Sequence, residues 1–394
     1  MAKRKKAGGG AFGGMARPGP SFRPPEREPM ATDRESEQML RSVQNMIRMR
    51  NFGSEAELQQ FLNDNLTGRP MGEIIDKLKA DQPDTELEKA ERMMADLATD
   101  ASPSVIRRTA RAALGLAPEC MAAWLTLGLE EREGEAALKV FDEGIGHGRA
   151  RFAGLIASMD NGGGLWGWVE ARDFMRLLEQ RALELQTLSR LEDAMAAYQE
   201  MLDLNPHDNQ GIRGQLLLLL IAARRLPEAR ALVARFPNDI LPDILFGSAF
   251  LAILEAVDAT GYELPDMDEP DGAKSPPAVV KRLGPEFDLA KKALKRATDF
   301  NPFVALVMFH PQMMGVALPT HLAIGGPYEA IAYSQEWAPL WHVSGLPMVM
   351  LTAAAPLHPL RAAKSERIKA ELIEAVENLE SLDDEPWWDS YFKD

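Results

Sequence analysis

The chain has 394 residues, with 59 Asp and Glu against 44 Lys and Arg and a formal charge of −15, which argues against a general nucleic-acid binder, because holding backbone phosphates takes a positive field. Its one cysteine, Cys120, excludes an intrachain disulfide framework and a thiolate metal cluster. The longest purely apolar run, eight residues at 216–223, falls far below the roughly 20 of a membrane-spanning helix.

Residues 1–34 combine glycines and prolines with Lys3, Arg4, Lys5 and Lys6 and predict a disordered basic tail, whose only nucleic-acid contact would be weak. Gly8 to Gly10 stand where a signal peptide would place its apolar stretch, so a cytoplasmic location is expected. Residues 35–101 predict an N-terminal helical region. Met39, Leu40, Val43, Met46 and Ile47 recur three and four apart, and Ser54 with Glu57 reads as a capping box opening a helix at 55–63. Pro70 suits the first turn of a helix over 71–80, and Leu87, Ala90, Met93, Met94 and Leu97 mark another over 84–97.

From residue 102 the pattern repeats, and 102–302 predicts an array of helical hairpins. Helices are expected at 105–116, from Pro118 to 130, and at 135–144. Trp124, Leu127 and Gly128 set a bulky and a small residue on the first helix of a hairpin, and Ala137 and Phe141 supply the partners on the second. Residues 147–165 break this rhythm and read as an insertion. Its stretch Asp160-Asn161-Gly162-Gly163-Gly164 lacks the preceding strand and the following Lys-Ser/Thr of a phosphate loop. The regular copies come next. Leu178, Ala182 and Leu185 face Ala194, Tyr198 and Met201 across a turn at Ser189 and Arg190, and Pro206 stops the second helix. Thirty-four residues after Leu178, Ile212 restarts the pattern and leads through Ala229.

A helix over 241–257 opens a further pair, split by an acidic connection at 258–285 that lacks the ligand order of a calcium loop. Its second helix, 286–300, places Ala290, Leu294 and Ala297 on one side, Lys291, Lys292, Lys295 and Arg296 on the other, and ends before Pro302. Residues 303–380 predict a C-terminal helical extension with helices at 328–340, 347–354 and 361–379; Trp337 and Trp341 lie one turn apart in the first. Residues 381–394 form an acidic, aromatic tail containing Asp383-Asp384-Glu385-Pro386-Trp387-Trp388.

The spacing of small, bulky and closing proline residues resembles the tetratricopeptide repeat. The phrase Leu204-Asn205-Pro206-His207-Asp208-Asn209-Gln210-Gly211-Ile212-Arg213, with Asn301-Pro302-Phe303-Val304 and Tyr328-Glu329-Ala330-Ile331-Ala332-Tyr333, is similar to bacterial proteins grouped with the suppressor of tumorigenicity 7 family, over roughly residues 85–345. The resemblance implies an all-α, tetratricopeptide-like helical-hairpin solenoid with irregular helical N- and C-terminal extensions. It brings no catalytic residue, and the connections at 258–285 and 310–327 depart from it.

The residues themselves assemble no reaction centre. None of His147, His207, His310, His321, His342 and His358 belongs to a paired helical zinc motif, no serine sits in a nucleophile elbow, and no dinucleotide fingerprint follows a predicted strand. No cofactor or metal is expected. The expected function is a non-enzymatic scaffold binding a protein or peptide along the concave side of the array, with Arg181, Gln210, Arg213 and Gln215 as candidate contacts. For Arg213 the competing reading is a bond to neighbouring Asp208. Two alternatives stand beside it: an enzyme or small-ligand sensor with a pocket around His310, His321, Tyr328 and Trp341, and a structural subunit of a larger assembly.

Overall fold

The structure is a computed structural model that describes residues 54–65, 85–98, 100–132, 134–159, 164–264, 276–309, 311–319 and 321–354. The basic tail, the helical periodicity at 39–47, the helices at 71–80 and 361–379, residues 160–163 of the glycine-containing stretch, most of the acidic stretch near 270, His310 and the tail at 381–394 lie outside the described residues. Every regular element among the described residues is helical, and none is a strand. The chain divides into two units, Met1–Ile75 and Asp76–Asp394.

In the first unit, α1 (Glu55–Asn65) starts where the Ser54 and Glu57 spacing places it. The Ser54 hydroxyl accepts from the Glu57 amide at 3.2 Å.

The second unit opens with α2 (Glu86–Ala95), α3 (Pro103–Leu116) and α4 (Met121–Leu129). A complete capping box starts α2: the Thr85 hydroxyl accepts from Glu88 N at 3.2 Å, and the Glu88 carboxylate accepts from Thr85 N at 2.8 Å. Ala90, Met94, Ala110, Ala113, Cys120 and Ala123 share a small core among these three helices. Small side chains let the helix backbones approach closely there.

The following helices are α5 (Gly134–Ala157), α6 (Arg172–Thr187), α7 (Leu191–Leu204), α8 (Arg213–Ala222), α9 (Leu226–Arg235) and α10 (Pro242–Thr260). Each packs on its successor, and α4 also meets α6 while α8 meets α10. The turns joining α6 to α7 and α8 to α9 are the same structure. Ser189 and Arg224 hold φ of 59° and 60°, the Arg190 and Arg225 amides each donate 2.8 Å to Leu185 and Leu220 carbonyls, and Ser189 N and Arg224 N donate to Gln186 and Ile221. This is a helix C-terminal motif built on a left-handed residue, here repeated after 224 − 189 = 35 positions.

The second unit buries the residues whose spacing suggests repeat packing: Trp124, Gly128, Ala137, Phe141, Leu178, Ala182, Ala194, Tyr198, Ala229, Ala290, Leu294 and Ala297, with Pro206 and Pro302 half-buried. Two boundaries differ from the sequence expectation. The helix expected to end at 144 runs on to Ala157, so the first part of the supposed insertion at 147–165 is helical. Glycines in α5 mimic a break, but Gly144 and Gly148 lie one turn apart where neighbours press in. A Cβ at Gly144 would stand 2.6 Å from Trp124 Cβ, and one at Gly148 would meet the Phe174 ring and, at 2.9 Å, Met121 Sδ. The second difference is inside the connection at 258–285, where α11 (Pro276–Arg282) forms and buries Val279. Its prolines stand at the start of the helix, where a missing amide hydrogen costs nothing.

Next come α12 (Asp288–Phe300), α13 (Phe303–Phe309), α14 (Pro327–Val343) and α15 (Gly345–Ala354). Helix α12 packs on α10, α13 on α14, and α15 on α11 and α12, while α14 and α15 both reach α10. The apolar stretch at 303–309, assigned no element from sequence, is a helix buried from Phe303 to Met308.

Candidate functional site

Three elements bring polar side chains together: α6, the turn entering α8, and α14. The turn is built on Asp208, left-handed at φ 49°, followed by Gly211 at φ 75°. The Asp208 carboxylate accepts from Ile212 N at 2.9 Å and Arg213 N at 3.0 Å, so it satisfies the amides that start α8.

Arg213 is held inside this joint. Its Nη1 donates to Asp208 at 2.8 Å and its Nε to Asp239 at 2.5 Å, and its guanidinium lies 5.2 Å from the Phe236 ring centre. Asp239 also accepts from Leu241 N at 2.9 Å, at the start of α10. One arginine therefore ties together two acids that accept from backbone amides at the starts of α8 and α10. Its side chain is only 14% exposed. Burial works against the guanidinium charge, but the hydrogen bonds and charges of Asp239 and Asp208 outweigh it and raise the pKa above the ordinary arginine value. The donors proposed from sequence for a partner are spent within the chain, in the bond to Asp208 that was the competing reading and in a second to Asp239.

The other three candidates also meet acids of this chain, and of them Arg181, with 26% of its side chain exposed, stays closer to solvent than Arg213. Arg181 Nε donates to Asp142 of α5 at 2.5 Å, Gln210 Nε2 to Glu179 of α6 at 2.6 Å, and Gln215 Nε2 to Glu336 of α14 at 2.5 Å. Gln210 Nε2 also approaches the Met175 carbonyl at 3.3 Å, and its Oε1 is buried with no hydrogen-bond partner. Tyr198 lies against this group, its hydroxyl donating to Gln186 at 3.1 Å. Burial pushes the Tyr198 pKa well above the ordinary tyrosine range, and the Glu179 and Glu336 carboxylates add to the effect. The structure thus brings Gln210, Gln215, Glu179 and Glu336 into one amide and carboxylate cluster, with Arg181 on the same helix as Glu179. Such a cluster can bond a peptide backbone or a basic side chain.

Glu179, Glu336 and Asp239 escaped the sequence reading. Asp239 carries a signal, an Asn-Asp pair just before Leu241-Pro242, which is capping chemistry. Glu336 carries none, because its contact with Gln215 spans 121 residues.

The C-terminal residues considered for a pocket are placed differently. His321 is exposed, Tyr328 half-buried and Trp341 fully buried. Trp341 Nε1 donates to Tyr333 Oη at 2.8 Å and its ring meets Phe250 edge-on, while Trp337 Nε1 donates to Asp243 at 2.8 Å. Helix α14 is thereby fixed to α10. At its start, Glu329 is almost fully buried and accepts from Gly325 N at 2.8 Å and Asn301 Nδ2 at 3.0 Å. Burial raises its pKa; these two hydrogen bonds oppose that rise, and nearby Asp243 reinforces it.

Cys120 is buried at the start of α4, and desolvation pushes its thiol up to about 11, the direction that disfavours a nucleophilic thiolate. Among the described residues no three His, Cys, Asp or Glu side chains are grouped to hold a metal ion, and no helix is long and apolar enough to cross a membrane. The chain matches no known family profile, no curated protein and no solved structure.

Proposed function

We propose that this chain is a tetratricopeptide-like solenoid, akin to the suppressor of tumorigenicity 7 family, that binds a protein or peptide in the cytoplasm and performs no chemistry of its own. The observation that carries this reading is the amide and carboxylate cluster, where Gln210 keeps a buried acceptor without a donor beside Glu179. A bound segment that draws the Gln210 side chain outward would supply the missing backbone N–H to its Oε1. The repeated left-handed turn at Ser189 and Arg224 supports the hairpin series, since equivalent units stacked in order are what a solenoid requires. The negative charge of the chain favours a basic polypeptide over nucleic acid.

The test is recovery of interacting polypeptides from native cell extract by the full chain, identified by mass spectrometry, beside the double variant Arg181→Glu/Gln210→Ala. The variant should lose a specific partner about tenfold, which corresponds to about 1.4 kcal/mol, with helical circular dichroism unchanged. Equal recovery by both proteins would sink the assignment of this face.

A further inference from the structure

We propose that the basic face of α11 and α12 binds the acidic, aromatic segment at residues 383–389 of the same chain. The charge of this face runs against the rest of the molecule. Residues 276–300 hold six Lys and Arg against three Asp and Glu, whereas the whole chain holds 44 against 59. Lys291 Nζ donates to the Leu283 carbonyl at 3.0 Å, which sets the end of α11, with exposed Lys281 and Arg282, beside the start of α12. Lys292, Lys295 and Arg296 are exposed around a shallow surface depression completed by Asp299 and Phe300.

The face is also partly apolar. Leu289, 60% exposed, precedes Lys292, Arg296 and Phe300 at spacings of three, four and four, which places all four on one side of α12. An occupant that matches it needs carboxylates together with large apolar rings. Residues 383–389, Asp-Asp-Glu-Pro-Trp-Trp-Asp, supply four acids and two indoles in seven positions. Indole faces also attract Lys and Arg cations directly.

Reach is not limiting. The last described helix, α15, ends at Ala354 and packs on both α11 and α12. The 28 residues at 355–382, even as a random coil, would span about 30 Å, longer than the roughly 20 Å of α12. A tether of that length gives an effective concentration on the order of 1 mM, so a contact too weak to form between separate molecules forms within one.

The experiment uses the full chain labelled with a donor and an acceptor dye at Asp288→Cys and Ser390→Cys, with buried Cys120 left unlabelled. Transfer efficiency should be high in low salt. It should fall roughly twofold at about 0.5 M NaCl, where screening shortens to a few ångströms. The variants Lys292→Glu/Lys295→Glu/Arg296→Glu and Asp383→Asn/Asp384→Asn/Glu385→Gln should each show the same fall in low salt; the second leaves α12 untouched. Transfer unchanged by both variants overturns the proposal. Transfer that grows with protein concentration overturns it as well, because a second copy would then supply the segment.

Discussion

Arg213 joins turns whose capping acids lie 239 − 208 = 31 residues apart, and both acids are nearly buried. Removing one member of such a group strands the others, at a typical cost of roughly 3–5 kcal/mol. Arg213→Glu would set a third carboxylate between Asp208 and Asp239, so its urea midpoint should fall sharply and in proportion to that loss. Arg213→Met, which keeps the stem packed on Phe236 but still strands the acids, should fall less. An unchanged midpoint in both variants would remove the joint from any account of stability. The same residue shows why a sequence ranks candidates imperfectly. An arginine at the start of a first helix looks available to a partner until the acid 26 positions later, Asp239, is known to be in reach.

At the scale of one element, α5 separates two effects that a glycine can have. Replacing a mid-helix glycine by alanine gains about 0.5–1 kcal/mol, while forcing a methyl into a filled site costs about 1–3 kcal/mol. Gly146 and Gly154 have nothing within 4 Å of a Cβ position, whereas Gly144 and Gly148 meet Trp124 and Phe174. Gly146→Ala and Gly154→Ala should therefore stabilise the protein, and Gly144→Ala and Gly148→Ala should destabilise it, as read by chemical denaturation. A common sign for all four would contradict the packing. These glycines also mark where the sequence stopped being legible. The regular pairs α6–α7 and α8–α9 were readable because their small and bulky residues keep a local period and their turn is the same. The far half of α5 and the short α11 were not, since glycine and proline signal a break whether they end a helix, start one, or admit a neighbouring ring. The cluster of Gln210, Gln215, Glu179 and Glu336 was half legible for a similar reason: the amides follow the repeat phase, but the acids that meet them come from other helices.

For the whole molecule, the joint between the end of α12 and the start of α14 has a titratable lock in Glu329. Its pKa is raised in the folded chain, so folding binds its proton more tightly than the unfolded state does. The stability it contributes is full below the ordinary glutamate range and is lost as pH rises through the raised value. Glu329→Gln keeps an acceptor for Gly325 N and Asn301 Nδ2 and removes the charge. Relative to the wild type, the variant should gain stability as pH rises from the ordinary glutamate range through the raised value, measured as the difference in urea midpoints; a difference independent of pH would discard the lock. Helix α14 beyond it covers Phe246 and Phe250 of α10 with Tyr333 and Trp341. That arrangement sets a delay during biosynthesis. Sixty-six residues, 261–326, separate the end of α10 from the start of α14, and at about 5–20 residues per second a ribosome needs roughly 3–13 s to make them. For that interval the nascent chain carries two phenylalanines whose cover has not yet been synthesised.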